Sequence, residues 1–381
     1  MTTVAIDGED WRLDGHPTYA GRAFQGARIE GLLLNSRMAN GVFDDDNPLT
    51  RHLWAYPDTG AWDPERNTRE LVRALPTYRA HGLLAIAVNL QGGSPLGYYR
   101  GERRQVVLER IARAHPGATE AEIWTGVPGT DSQPWNSSAF DPHGALKPAY
   151  AARAAGLIEA ADAAGMAVIL GLFYFGQDER LRDEAAVRRA VDAACAFVLE
   201  RGYRNVLVEI NNECDVPRYE HPILTPPRVH ELIAQARGHA RDGRRLLVGT
   251  SFTRRQLPTD AVCAASDFVL LHGNGIDDPA ELGRLVDRVR AIPTWRRMPI
   301  VFNEDDHFDF DRPVNHVGAA LSRHASWGYF DPGDAAGGGQ VFGDYRHGYQ
   351  NPPIDWSIGT DRKRAFFDFL AHATGAAPDL V

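Results

Sequence analysis

Residues 205–213 read Asn205-Val206-Leu207-Val208-Glu209-Ile210-Asn211-Asn212-Glu213, a short apolar run that stops abruptly at polar and acidic residues. Such a run reads as a buried strand. A helical pattern at 183–201 precedes it and ends at Gly202, as helices often do, and another at 227–241 follows. Working outward, the same beat recurs along the chain. Further apolar runs stand at 29–34, 83–89, 166–175, 245–252, 268–272, 299–303 and 326–330, which makes eight. Helical patterns at 67–81, 148–165, 279–292, 315–324 and 361–374 lie between or after them, with only a short candidate near 260–264 behind the fifth run. Eight strand–helix units predict an α/β fold, a (β/α)8 TIM barrel. A doubly wound sheet is the alternative, but no GxGxxG follows an early run and no GxxxxGK[ST] occurs. Ahead of the beat, Val4-Ala5-Ile6 and Trp11-Arg12-Leu13 with Asp14-Gly15 read as a hairpin. Residues 1–20 are therefore expected to form an N-terminal cap, and residues 21–381 a single barrel.

Composition narrows the chemistry. The 381 residues are 44% hydrophobic and 24% charged, as in an ordered globular chain, and the net charge of −9 argues against a nucleic-acid surface. The three cysteines, Cys195, Cys214 and Cys263, are too few and too scattered for a disulfide framework or a CxxC knuckle. Only two of the 41 basic residues are lysines, Lys147 and Lys363, and neither lies in a strand-like run. Schiff-base chemistry, which needs a desolvated lysine, is thus disfavoured. The N-terminus shows no basic and apolar leader pattern, and no run approaches a membrane span. The expectation is a cytoplasmic protein without a membrane partner.

Two connections exceed plain turns. Residues 91–147 carry Tyr98, Tyr99, Trp124, Trp135 and Phe140; residues 331–360 carry Phe342, Tyr345, Tyr349 and Trp356. Both are strand-to-helix connections, which a barrel places on its C-terminal face beside the active site. They are expected to act as lids or walls.

Side chains alternate across a strand. Val206, Val208 and Ile210 therefore share the helix-facing side, and Glu209, Asn211 and Glu213 the interior one. Inward carboxylates at a strand end are costly to bury without partners, which marks Glu213 for function. Glu209 lies deeper and is expected to orient a neighbour. The seventh run ends Asn303-Glu304-Asp305-Asp306-His307. There Glu304 shares parity with Phe302 and Ile300, so a bulge or strand end is needed to aim it inward. Runs four and seven face each other across a barrel mouth. Two carboxyl groups about 5–5.5 Å apart are the apparatus of a retaining glycosidase.

Glu209-Ile210-Asn211-Asn212-Glu213 resembles the E-[LI]-x-N-E signature of cellulase-like glycoside hydrolases, family five of clan A. The resemblance implies that Glu213 is the acid/base, that Asn212 contacts the sugar hydroxyl beside the anomeric carbon, and that Glu304 is the nucleophile. It also implies that His272, ending the sixth run, contacts the nucleophile, and that Trp327 on the eighth floors the sugar site. Tyr174, Trp135 and Trp356 are further candidates for sugar stacking. The sequence departs from the family at Cys214, where proline is usual, and at Phe173-Tyr174-Phe175, where a histidine is usual. In place of the family's second-run arginine stand Asn89 and Gln91. The first run ends Asn35-Ser36-Arg37, and Arg37 is expected to supply that missing charge, with Asn35 beside it on the substrate.

The reading is a retaining O-glycosidase acting on an oligosaccharide or glycoside, with no cofactor. Two alternatives stand beside it. One is a non-catalytic carbohydrate-binding barrel. The other is a metal-dependent hydrolase or isomerase, with ligands such as His272, Asp305 and His307; the 14 histidines include no HxH or HExxH. Asp44-Asp45-Asp46 lacks the spacing of a calcium loop and reads as a solvated loop or helix caps.

Overall fold

The computed structural model describes residues 1–95, 102–124, 133–333 and 347–378, with backbone alone at 102–104. Eight staves follow one another: β1 Asn35–Arg37, β2 Ala85–Asn89, β3 Ala167–Phe173, β4 Val206–Asn211, β5 Leu247–Gly249 resuming as Ser251–Phe252, β6 Val269–His272, β7 Ile300–Glu304 and β8 Gly328–Tyr329. Each is followed by a helix: α1 Pro64–Ala80, α2 Pro148–Ala163, α3 Glu184–Glu200, α4 Val229–Gly238, α5 Asp260–Ala265, α6 Pro279–Arg290, α7 His316–Leu321 and α8 Asp361–Thr374. Neighbouring staves pair in parallel from β1 to β7, and β8 pairs with β1. Single bridges, Val301 to Ser326 and Asp305 to Tyr329, join the β7 stretch to that of β8. This is the (β/α)8 arrangement the sequence predicts. The first stave is shifted, however: the apolar residues of 29–34 lead into it, and the ladder is made by Asn35–Arg37.

Alternation sorts the staves into two cores. Ile86, Val88, Val168, Leu170, Val206, Val208 and Ile210 face the helices, while Ala85, Ala87, Ala167, Ile169, Leu207 and Val301 fill the interior. Small residues there suit the narrow space inside eight staves. The helices start where capping side chains follow the loops. Asp63 bonds Arg66 N, Asp183 bonds Ala186 N and Asn315 bonds Gly318 N. These are good N-caps, each worth about 1 kcal/mol.

The N-terminal segment is a meander rather than a lone hairpin. Val4–Asp7 pairs with Asp10–Leu13, which pairs again with His16–Pro17 across Asp14-Gly15. Trp11, fully buried, packs edge-on against Phe268 in the interior core. The meander thus covers the end of the barrel opposite the C-terminal ends of the staves.

The connection after β2 contains a helix, Glu102–Ala114, that hydrophobic patterning did not flag, beside the short Glu120–Ile123. Phe140, Trp135, Tyr349 and Trp356 of the long connections are anchors rather than walls. Phe140 packs on Phe173 and Trp135 on Trp54, both fully or almost fully buried. Tyr98, Tyr99, Phe342 and Tyr345 lie outside the described residues. The Asp44–Asp46 stretch is not a solvated loop either. Asp45 is fully buried and accepts from Thr50 Oγ1, Trp54 Nε1 and the backbone N–H groups of Asn47 and Asn136. Asp44 pairs with Arg51, and Asp46 with Lys147. The cluster is a hub that joins the connections after β1 and β2.

Candidate active site

Both glutamates are presented where strand alternation breaks. On β4 the break comes after Asn211, whose side chain turns to the Leu224 carbonyl and Thr250 Oγ1 rather than to the pocket. Asn212 and Glu213 then both reach the pocket in succession. The backbone makes this possible at Glu213, which sits at φ +48°, in the left-handed region. A non-glycine residue there costs roughly 1–3 kcal/mol, and such outliers gather at functional sites. Ser251 Oγ holds the Glu213 N–H at 2.8 Å, and Glu213 O accepts from Val216 N at 2.9 Å, which keeps the turn in place. Replacing Glu213 by glycine should remove the strain as well as the carboxylate. Glu213→Gly is expected to be about 1 kcal/mol more stable than Glu213→Ala in urea unfolding. Equal midpoints would show the left-handed turn to be unstrained.

On β7 the break is a bulge. Leu271 pairs with Phe302, but His272 pairs with Glu304, so one residue, Asn303, is skipped. Asn303 and Glu304 thereby both face the interior, and the bulge required by the sequence parity is present. Asn303 Nδ2 reaches down to Glu209 Oε2 at 3.4 Å.

Arg37, 1% exposed, stands between these groups. Its Nε pairs with Glu304 Oε2, its Nη1 lies 3.7 Å from Glu209 Oε2, and its Nη2 donates to Asn212 Oδ1. Burial alone would lower its pKa, but the charges of Glu304 and then Glu209 outweigh this and raise it. A guanidinium only donates, so it fixes the Asn212 amide with the oxygen toward Arg37 and the amino group free to donate elsewhere. Gly171 on β3 leaves the room Asn89 needs: a Cβ there would fall 2.4 Å from Asn89 Oδ1, with Glu209 Oε2 at an ordinary 3.4 Å.

His272 closes the set. Its Nδ1 lies 2.9 Å from Glu213 Oε1 and 3.5 Å from Glu304 Oε2. Burial pushes its pKa down, but Glu304 and Glu213 beside it turn the balance upward. One donor atom from each of Glu213, His272 and Glu304 falls within 4.8 Å of the others, so the two carboxyl groups approach at least that closely. Tyr174 borders the pair: burial, with the charges of Glu304 and Glu213, pushes its phenol up to about 12. Its hydroxyl lies 3.4 Å from Ser94 Oγ.

Other expected ligands are elsewhere. Asn35 is fully buried below Arg37, and its Nδ2 faces the carbonyls of Leu33, Phe302 and Trp327, so it is a clip between staves. Trp327, 1% exposed, lies outside the staves against Phe310 and Phe366 of α8, with Nε1 on Asp305 Oδ2 at 2.7 Å. Parity puts the next residue but two, Phe330, on the interior side instead. Trp135 is buried in the outer cluster with its Nε1 on Gln133. Trp356 is stacked on Tyr349 and bonded to Asn67 of α1, again away from the rim. Large aromatics read from composition alone do not distinguish a sugar platform from a loop anchor. One close neighbour of Glu304 was missed: Asn274, whose Nδ2 lies 2.7 Å from Glu304 Oε1. Nothing in its local sequence marks it, because it is placed by the loop after β6.

Among the described residues two donor sets have metal-like spacing, Glu213–His272–Glu304 and Asp305–Asp306–His307. His272 and His307 therefore belong to different clusters, against the expectation that they might share one. In the first set the Arg37 guanidinium already lies on Glu304 Oε2, a fixed positive charge where a divalent ion would bind. In the second, Asp305 is engaged by Trp327 and by His307 Nδ1 at 2.5 Å. The three cysteines are free and buried, and no helix among the described residues is long and apolar enough to cross a membrane.

No protein-family model matches the chain, and no curated protein matches its sequence. Solved structures do match. An endo-1,4-β-mannanase from Rhizomucor miehei is 11% identical with a TM-score of 0.55, over 98% of this chain and 100% of that one. A chain from Bacteroides vulgatus ATCC 8482, provisionally named a glycoside hydrolase, is 13% identical with a TM-score of 0.54, over 99% of this chain and 62% of that one. An exo-β-1,4-mannosidase from Opitutaceae bacterium strain TAV5 is 14% identical with a TM-score of 0.43, over 82% of this chain. The chain spans 53% of the mannosidase, so it matches little more than half of that protein's length. At these identities the likeness to the first two is one of fold, and that fold is the α/β barrel.

Proposed function

We propose that the protein is a retaining glycoside hydrolase that cleaves an O-glycosidic bond by double displacement. The observation that carries this reading is the approach of Glu213 and Glu304, from the ends of β4 and β7, to within 4.8 Å. Retaining enzymes hold their carboxyl groups about 5–5.5 Å apart, whereas inverting ones leave about 6.5–9.5 Å for a water. Glu213 protonates the leaving oxygen while a Glu304 oxygen attacks the anomeric carbon, giving a glycosyl ester and a free alcohol. Glu213, now a carboxylate, takes a proton from water as the water oxygen attacks the same carbon and releases Glu304. Two inversions restore the starting configuration.

The surrounding groups suit those steps. Arg37 and His272 face the Glu304 carboxylate, and Arg37 also faces the deeper Glu209. Asn212, its oxygen held by Arg37, presents its amino group to the sugar hydroxyl beside the anomeric carbon, a contact that strengthens in the transition state. The barrel's likeness to a mannanase makes β-1,4-linked mannosides the first substrates to try. The test is a panel of aryl glycosides and oligosaccharides, with the first-formed anomer read by proton NMR. Retention is expected. An inverted first product would exclude double displacement, and sugar binding without hydrolysis would leave a non-catalytic barrel.

A further inference from the structure

Glu304 is held on both oxygens by unlike groups. Oε2 faces Arg37 and, at 3.5 Å, His272; Oε1 has one partner among the described residues, Asn274 Nδ2 at 2.7 Å. Asn274 is half-buried, and its own Oδ1 meets no protein donor. What fixes it is the backbone arch 273–276 on either side. Gly273 N–H donates to the Glu304 carbonyl at 2.8 Å, and Ile276 N–H turns back to the Gly273 carbonyl at 3.1 Å. A Cβ at Gly273 would lie 2.4 Å from Asp305 Oδ2, so only glycine lets the arch pass this close to β7. Gly275 N–H reaches Asp306 Oδ1 at 3.4 Å.

The far foot of the arch is pinned from α7. Ile276, 4% exposed, accepts on its carbonyl from His316 Nε2 at 2.6 Å. His316 is itself 2% exposed, with Nδ1 at 3.0 Å from Asp309 Oδ2. Its ring lies flat on that of His307, centroids 3.6 Å apart, and His307 bonds Asp305. Apart from its own Ile276–Gly273 turn, the arch is tied to the segment that continues from Glu304 into α7.

We propose that this arch is a positioning device for Glu304, with Asn274 acting on the carboxylate and His316 pinning the arch; the proposal rests on Glu304 being the nucleophile. The terminal torsion of a glutamate is soft, so a donor on one oxygen leaves the carboxylate plane loose. A second donor on the other oxygen sets the plane for attack, and misplacement of reacting atoms is costly.

The experiment compares wild type with Asn274→Ala, Asn274→Asp, His316→Ala and His316→Gln on an aryl glycoside that the wild type turns over. Loss of one hydrogen bond to a charged group predicts kcat lower by about tenfold to a hundredfold for Asn274→Ala, with KM little changed. The acidic limb of its kcat/KM profile moves to higher pH, and further still in Asn274→Asp, where a like charge faces Glu304. His316→Ala shows the same kcat loss in part, and His316→Gln, which keeps a donor for the Ile276 carbonyl, recovers it. The ¹³C carboxyl resonance of Glu304 in the free protein moves in both alanine variants. Wild-type kcat, pH profile and resonance in Asn274→Ala would overturn the proposal. An effect of His316→Ala on activity with no change in that resonance would remove the pin. A shifted resonance in a protein that hydrolyses no glycoside would instead overturn the glycosidase reading and leave the hold on Glu304 standing. Should His316→Ala not fold, Asn274→Ala decides alone.

Discussion

Glu304→Ala is expected to fold and to lose at least about ten-thousandfold in turnover, the scale seen when a covalent nucleophile is removed. The fold survives because Arg37 keeps Glu209 at 3.7 Å and Asn212 as partners. Glu304→Gly gives the sharper result. The space left by the side chain admits a small anion, so azide should restore cleavage of an aryl glycoside with a good leaving group. One displacement replaces two, and the product is a glycosyl azide of inverted configuration. Thermal melting checks the fold, and NMR of the product checks the stereochemistry. Turnover by Glu304→Ala near the wild-type rate would end the assignment.

Arg37→Met should cost about 3–5 kcal/mol of stability, the scale for removing one partner of a buried ion pair. The side chain is 1% exposed and faces Glu304 and Glu209, so its loss leaves two carboxylates without their guanidinium. That is a large share of the roughly 5–15 kcal/mol that holds a domain together. Two losses of different origin are combined here, and Glu209→Gln separates them. Added to Arg37→Met, it removes a buried charge and should recover at least half of the lost stability, a coupling that a double-mutant cycle measures. Activity should stay low, because Glu304 and Asn212 still lack their common donor. An unchanged urea midpoint for Arg37→Met would show the charge cluster to be structurally neutral.

The barrel was legible because its signal is repeated. Eight apolar runs and their helices appear within a few residues of where they fold, and Pro148 and Pro279 open helices as their missing N–H predicts. The first stave was displaced because 29–34 is apolar for packing rather than for ladder pairing. The two carboxylates were legible for a different reason: apolar strands do not end in glutamate without cause. Their exact aim was not. Alternation put Glu209, Asn211 and Glu213 inward, whereas Asn211 turns to Leu224 and Thr250 while Asn212 and a left-handed Glu213 both reach the pocket, and β7 needed its bulge. The turn after β4 is a backbone event that no side-chain pattern encodes, whereas the β7 bulge follows from the parity of Glu304 with Phe302 and Ile300. Arg37 was legible as a charge at a stave end beside Glu304; its other partners, Glu209 and Asn212, were not, since they come from the β4 stretch. The tryptophans failed as markers because burial depends on what covers a residue. Trp327 is covered by Phe366 of α8, Trp356 by Tyr349, and Trp135 by Trp54.

The Asp45 hub has an evolutionary corollary. One carboxylate fastens the excursions after β1 and β2 at their roots, through Thr50, Trp54, Asn47 and Asn136, without touching either glutamate. Selection can therefore lengthen, shorten or recompose the outer parts of those excursions while the anchored bases and the machinery beneath stay as they are. On the proposed reading, the choice of substrate can then change through those outer parts while Glu213 and Glu304 keep their geometry.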